Sequence, residues 1–251
     1  MTDGEILDIA VRQSATDSAC RPEDFFKGEH VVVRSRADMG ARKYLSLPFA
    51  LDLASYGNNV VASADESLIP VAEAYLRGRR TEACFGTPAL HELDAMLSPF
   101  GMRTFFQAEY FLPDLNAMRE IACAYPTRIL AREAFSGLYL PQWSNALCKA
   151  RKENDVLCVG AYDGDTLIGL AGCSADCERM WQIGIDVLPA YRKRGVAAAL
   201  VSRLAAETLA RGKVPFYCAA WSNLASKKTA LACGFRPAWV QLTAKPVGFT
   251  L

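Results

Sequence analysis

Asp186 to Leu200 reads DVLPAYRKRGVAAAL, and the fold turns on this stretch. Just upstream, Met180 to Leu188 alternates Ile183, Ile185 and Val187 with Gln182, Gly184 and Asp186, the two-residue period of a strand that ends at Pro189. Downstream, Val196, Leu200, Val201, Leu204, Ala205 and Leu209 share one face, while Ser202, Arg203, Glu207 and Arg211 are polar. That spacing predicts an amphipathic helix over 196–211, closed by Gly212. The loop between carries Arg192, Lys193, Arg194 and Gly195. A helix start leaves its first N–H groups without intrahelical partners and carries the positive end of the macrodipole. Behind a basic loop it suits a phosphate or pyrophosphate. Gly195 lets the backbone approach such an anion closely, and Ala197 and Ala198 keep side chains out of the way. A charge-assisted hydrogen bond contributes about 1.5–3 kcal/mol, against about 0.3–1 kcal/mol for the dipole at an exposed end. Direct N–H and Arg contacts therefore dominate. The rival reading of Arg192, Lys193 and Arg194 is a solvated turn before an ordinary helix. The loop has neither GxGxxG nor GxxxxGKS/T, so a dinucleotide fold is poorly supported and a P-loop is excluded.

Working outward, Asp155–Tyr162 and Thr166–Cys173 flank Asp163, Gly164 and Asp165, a hairpin with its turn chemistry in place. Pro215–Trp221 reads as a strand. Asn223 or Ser222 opens a short helix ending at Gly234, and Phe235–Ala244 is a last strand. Arg128–Leu130 suggests a short strand, and Phe135–Arg151 is expected to be helical in parts, broken at Pro141. In the first half, Val31–Val33 and Asn59–Ala62 read as strands. Glu66–Leu76 reads as a helix capped by Asp65 and stopped by Gly78, and a second helix starts near Pro88 with Thr87 as cap. Met102–Phe111 looks like a long strand. The order of elements predicts an α/β chain with a mixed sheet and helices packed on it. Pro113–Pro126 is the candidate boundary, giving domains over 1–118 and 119–251.

The chain has 251 residues, 51% hydrophobic and 22% charged, a globular balance. Lys plus Arg (28) nearly equals Asp plus Glu (27), so anion binding must come from a local cluster and nucleic acid is not an expected partner. Nine cysteines form no CxxC pair, and the two histidines are remote in sequence. A disulfide framework and a metal site are therefore not expected. The acidic start is followed by no long apolar stretch, and no apolar run reaches about 18 residues. A cytoplasmic protein without a membrane partner is expected.

Arg192-x-x-Gly195-x-Ala197, after a strand ending Val187-x-Pro189, resembles the R/Q-x-x-G-x-G/A motif of GNAT-superfamily acyltransferases. Downstream, Asn223 and Ser226 fit N-x-x-A/S, with Gly234 and Phe235 at the spacing these proteins use. The two matches cover about residues 125–245. GNNVVASADE (57–66), SNALCKARKENDVLCVGAYD (144–163), GLAGCSADCERMWQIGIDVLP (169–189), AWSNLAS (220–226) and GFRPAWVQLT (234–243) look like the subgroup that includes zwittermicin-A-resistance-type acetyltransferases.

The resemblance implies a C-terminal GNAT fold on residues 119–251, with an N-terminal α/β domain contributing to the acceptor cleft. It implies acetyl-CoA as cosubstrate, no metal, and N-acetyl transfer to a small-molecule amine by direct attack on the thioester. In such proteins the central strand splays from its neighbour. Here Ile185 and Val187 would pair with the pantetheine arm. Arg192 and the amides of Lys193, Arg194, Gly195, Val196, Ala197 and Ala198 would hold the pyrophosphate, and Asn223 would lie near the thioester. The Ile185 N–H would stabilise the oxyanion.

The sequence departs from the family at two places. Many members carry a Tyr seven residues after the Asn as general acid, where this chain has Ala230; many carry a Glu early in the central strand, where it has Trp181. An amine with pKa near 10 must lose a proton before attack. Asp186 and Glu178 are the base candidates, with Asp176 also near. Tyr217, Cys218 and Ser222 are the nearest hydroxyl or thiol groups. The structural readings are Asp186 as a hydrogen-bond partner, Glu178 and Asp176 as solvated loop charges, and Cys218 as core. The missing acid and base also admit a catalytically inactive CoA-binding sensor or scaffold.

Overall fold

A computed structural model of the chain describes residues 1–250. In chain order its elements are α1 (Asp3–Ser18), β1 (Val31–Arg34), β2 (Leu51–Ser55), β3 (Val61–Ala64), α2 (Ile69–Leu76), α3 (Thr87–Leu97), β4 (Met102–Pro113), β5 (Thr127–Leu130), β6 (Asp155–Asp163), β7 (Thr166–Ser174), β8 (Met180–Val187), α4 (Val196–Ala210), β9 (Val214–Ala220), α5 (Leu224–Ala232) and β10 (Phe235–Pro246). The chain divides into two compact units. One comprises Met1–Ile9 and Phe111–Pro237; the other comprises Ala10–Tyr110 and the chain from Ala238 onward.

The first unit carries a mixed sheet in the order β9-β8-β7-β6-β5, antiparallel except for the parallel β8–β9 pair. Alternation sorts its side chains. Val159, Ala161, Ala171, Cys173 and Ile183 face α4 and pack on Val196, Leu200, Val201, Leu204 and Ala205. Cys158 and Leu170 face the other way, onto Phe135, Trp143, Ala146 and Leu147. Gly169 is where α4 comes closest to the sheet: a Cβ there would lie 2.9 Å from Val196 and 3.1 Å from Leu200. The second unit has the order β1-β3-β2-β10, with β1–β3 parallel and the other pairs antiparallel. Leu51, Leu53, Ala62, Ala64, Leu242 and Ala244 pack under Leu68, Ala72, Leu76, Leu93 and Leu97 of the α2–α3 segment. Val11, Ala15 and Phe25 cover Ala54 and Val61.

Helices α2 to α5 and the hairpin lie where the periodicities predict, making this a mixed α/β chain. Two local readings are corrected. The 135–151 segment forms 3-10 turns at Pro141–Trp143 and Lys149–Asn154 and no α-helix. Pro141 removes a donor, and Arg151 sits at φ −138°, ψ 46°. Gly86, not Thr87, is the cap position of α3. Asp65 does accept the N–H of Ser67, at 3.0 Å. No helix among the described residues is long and apolar enough to cross a membrane.

Candidate active site

The parallel pairing of β8 with β9 runs from Met180–Val214 to Ile183–Tyr217, yet β8 continues to Val187 and β9 to Ala220. Beyond Ile183 and Tyr217 the two strands are unpaired with each other and bound a wedge. Its β8 edge is about 13 Å long, from four residues at the strand rise. On its other side β8 pairs with β7 as far as Val187. Leu188 N–H donates to Ile168 O at 2.9 Å, so the antiparallel alternation gives the bonded pairs to Asp186 and Gly184. The N–H and C=O groups of Ile185 and Val187 consequently point into the wedge. The Val187 carbonyl also accepts from Arg192 Nε at 3.0 Å.

At the wide end stands the start of α4. Gly195 adopts φ +78°, ψ −4°, no side chain caps the helix, and a Cβ on Gly195 would meet nothing within 4 Å. The first α4 bond that returns to this turn is Ala199 N–H to Gly195 O, at 3.1 Å. Lys193 is also left-handed, at φ +61°. Successive turns of this hand gather backbone N–H groups into an anion-binding concavity. Arg192, Lys193, Gly195, Val196, Ala197 and Ala198 all line the resulting cleft of about 750 Å³. Arg194 does not: its guanidinium donates to Tyr125 Oη at 2.9 Å and lies over the Tyr191 ring.

The opposite wall is a seated turn. Asp186 Oδ2 accepts from Asn145 N–H at 2.8 Å and Ala146 N–H at 3.0 Å, and its Oδ1 accepts from Asn145 Nδ2 at 2.6 Å. The turn rests on two glycines paired across β7 and β8. A Cβ on Gly184 would lie 1.8 Å from Asn145 O, and one on Gly172 would lie 2.0 Å from Ala146 O. Asn145 thereby joins the cleft lining. Where the wedge closes, Tyr217 Oη and Ser226 Oγ are 2.9 Å apart. Burial pushes the Tyr217 phenol above its ordinary pKa, partly opposed by the Ser226 bond. Asn223 also lines the cleft and caps α5 by accepting the Ser226 N–H at 3.1 Å.

A sequence profile described as the acetyltransferase (GNAT) family matches residues 115–235. Residues 115–235, just under half of the chain, are thus similar to the GNAT acetyltransferases. The chain is also similar to a protein described as an acetyltransferase of the GNAT family from Novosphingobium aromaticivorans DSM 12444, with 19% identity, TM-score 0.41, and coverage of 57% of this chain and 66% of that one. A GNAT-family acetyltransferase from Colwellia psychrerythraea gives 14%, 0.43, and 57% of each chain. A GCN5-related N-acetyltransferase-like protein from Streptococcus suis 89/1591 gives 18%, 0.45, 75% and 71%. The chain spans less than two thirds of the first two of these proteins. No curated protein matches it.

Within the matched segment the remaining expected residues divide. Glu178 is exposed in the turn before β8, at the end of that strand away from the wedge, and is not part of the cleft lining. Asp176 is no solvated charge: it is buried, 3.3 Å from Arg151 Nε, and accepts from Asn154 Nδ2 at 3.4 Å. Ala230 is fully buried. Cys218 lines the cleft, and Trp221 is 64% exposed beside it. Asn145 and the Gly172–Gly184 seat escaped the sequence reading. Their one local signal is a glycine in each of two adjacent strand segments.

Proposed function

We propose that this chain is an N-acetyltransferase that moves the acetyl group of acetyl-CoA to the amine of a small molecule. The observation that carries the reading is the pairing of an opened strand edge with an uncapped, glycine-preceded helix start at its wide end. The donor set fits the cosubstrate. The amides of residues 193–198, with Arg192 and Lys193, suit a pyrophosphate. The inward-facing groups of Ile185 and Val187 suit the amides of a pantetheine arm laid along the strand as an added strand would be. A cleft of about 750 Å³ lies inside the roughly 300–1,000 Å³ range of small-ligand sites.

Acetyl-CoA, when bound, supplies the activated thioester carbonyl. The Ile185 N–H is the donor we assign to the oxyanion, because it faces the wedge between the cradle and the closed end. Asp186 is the only carboxylate in the cleft lining, and its hydrogen bonds go to Asn145 and Ala146. We therefore assign it to holding the turn, with the attacking amine losing its proton to water in the open cleft. The similarity to the zwittermicin-A-resistance-type subgroup favours amino-polyol acceptors. The nine free thiols suit a reducing cytoplasm.

The test is release of free thiol from acetyl-CoA across a panel of amino-polyols, aminoglycosides, polyamines and peptide amines. Turnover with one small-molecule class supports the reading. Tight acetyl-CoA binding without turnover anywhere in the panel favours the sensor, which Ala230 and Trp181 motivate. Turnover confined to peptides moves the acceptor class.

A further inference from the structure

Four side chains bring hydroxyl groups to the cleft lining: Tyr191, Tyr217, Ser226 and Thr229. Two of them spend their protons elsewhere. Tyr191 Oη donates to Asp163 Oδ2 at 2.9 Å, and Thr229 Oγ1 donates to Ala225 O at 3.0 Å. Tyr217 and Ser226 share one bond, of 2.9 Å, between two O–H groups. One of these two protons is therefore in surplus, and the pair can donate it outward. The pair is also rigidly held. The Tyr217 ring is buried 6.1 Å from Phe235 at the last paired position of β9, and Ser226 is fixed through its N–H to Asn223. It stands where the wedge closes, the far end from the α4 cradle. An arm anchored at Gly195 and laid along Val187 and Ile185 ends there.

We propose that Tyr217, backed by Ser226, gives the proton to the sulfur that leaves acetyl-CoA. The inference rests on the acetyl-transfer reading and names a group for a step that reading leaves without one. The amine lone pair forms a C–N bond to the thioester carbon, and the C–S bond breaks with its electron pair staying on sulfur. The Tyr217 Oη proton passes to that sulfur and makes the thiol. Ser226 Oγ–H reprotonates the phenolate, and the proton shed by the amine returns through water to Ser226. No external acid is consumed. Burial, which raises the Tyr217 pKa, keeps the phenol protonated and ready at neutral pH. Tyr217 is the catalytic residue here, and Ser226 is a positioning residue that acts through it.

The test needs no acceptor. Free CoA is bound to the whole protein and its thiol is titrated by thiolate ultraviolet absorbance, with calorimetry run alongside. A hydrogen bond from Tyr217 to the thiolate makes the bound thiol about tenfold more acidic in the wild type than in Tyr217→Phe. Ser226→Ala shifts the titration the same way by a smaller factor, and Ser226→Thr restores it. The Ser226 variants carry the test should Tyr217→Phe fold poorly. Identical titrations in all variants, with CoA bound equally well, overturn the assignment of Tyr217. Failure of the wild type to bind CoA overturns the acetyl-CoA reading itself, and this inference with it; calorimetry registers that outcome separately.

Discussion

Gly184 and Gly172 lie side by side on β8 and β7, and the backbone of Asn145 and Ala146 occupies the space their Cβ atoms would need. Gly184→Ala must lift that turn, because the obstructing atom is backbone and cannot rotate away. It also breaks the Asp186 bonds to Asn145 and Ala146. The expected cost is about 2–4 kcal/mol of stability, with a changed fluorescence of Trp143, which is buried in the same segment. An unaltered melt and spectrum would show that the turn is not seated as described. Gly195 behaves oppositely. Its Cβ direction is open, so Gly195→Glu leaves the core intact and costs about 1–2 kcal/mol for the left-handed backbone. In exchange it sets a carboxylate in the anion cradle. Calorimetry is expected to show CoA affinity falling at least about a hundredfold, since a favourable charged contact of roughly 1.5–3 kcal/mol becomes repulsive. Retained affinity in a folded variant means the helix start is not the site.

At the scale of elements, the opened strand edge makes its own prediction. Ile185 and Val187 point their amides into the wedge, whereas Asp186 and Gly184 bond to β7. Hydrogen exchange is expected to be fast at Ile185 and Val187 in the free protein and slowed about tenfold or more by CoA, with Gly184 and Asp186 little changed. Equal protection along β8 before CoA is added counts against the wedge. Loss of the Asn223 cap by Asn223→Ala should cost about 1 kcal/mol and loosen α5, read by exchange of its first turn. β8, α4 and the β6–β7 hairpin were legible in the sequence because their signals are local: alternation over Gln182–Val187, a 3.6-residue stripe from Val196, and a Gly164 turn. The 141–147 turn was not legible. Its geometry comes from a non-local register, Gly172 opposite Gly184, and no window of sequence contains both the seat and the turn. α1 and β2 were missed for a related reason. Their buried faces carry Ser14, Asp17 and Asp52, polar residues whose partners, such as Arg42 for Asp17 and Gln241 for Asp52, are distant in the chain. The site was legible as an anion cradle, while Asp186 was legible only as a carboxylate, since its commitment to Asn145 is a tertiary fact.

At the scale of the whole molecule, each compact unit buries an acid whose pKa rises to about 6. In one unit it is Asp52, raised mainly by burial, with hydrogen bonds from Thr243 and Gln241 and the charge of Arg42 opposing and Asp17 adding to the rise. In the other it is Asp155, also raised mainly by burial, against a bond from Cys148 N–H, with Asp176 adding and Arg151 opposing. In both, the folded pKa lies above the ordinary aspartate value of 3.8, so the folded state holds the proton more tightly than the unfolded chain. The stabilisation is full below pH 3.8 and is lost as pH rises through about 6. For Asp52 the loss is on the order of 3 kcal/mol, about two pKa units at 1.36 kcal/mol each. Asp52→Asn keeps an acceptor for Thr243 and removes the charge. Relative to the wild type, it is therefore expected to gain stability between about pH 4 and 6 and to level off above that, and Asp155→Asn to do the same. Denaturant unfolding of both variants and the wild type at several pH values measures this difference. A stability difference that stays constant with pH means the carboxylate is not held protonated by its surroundings, whereas a difference that grows only for Asp52→Asn confines the effect to the unit built on β2 and β10.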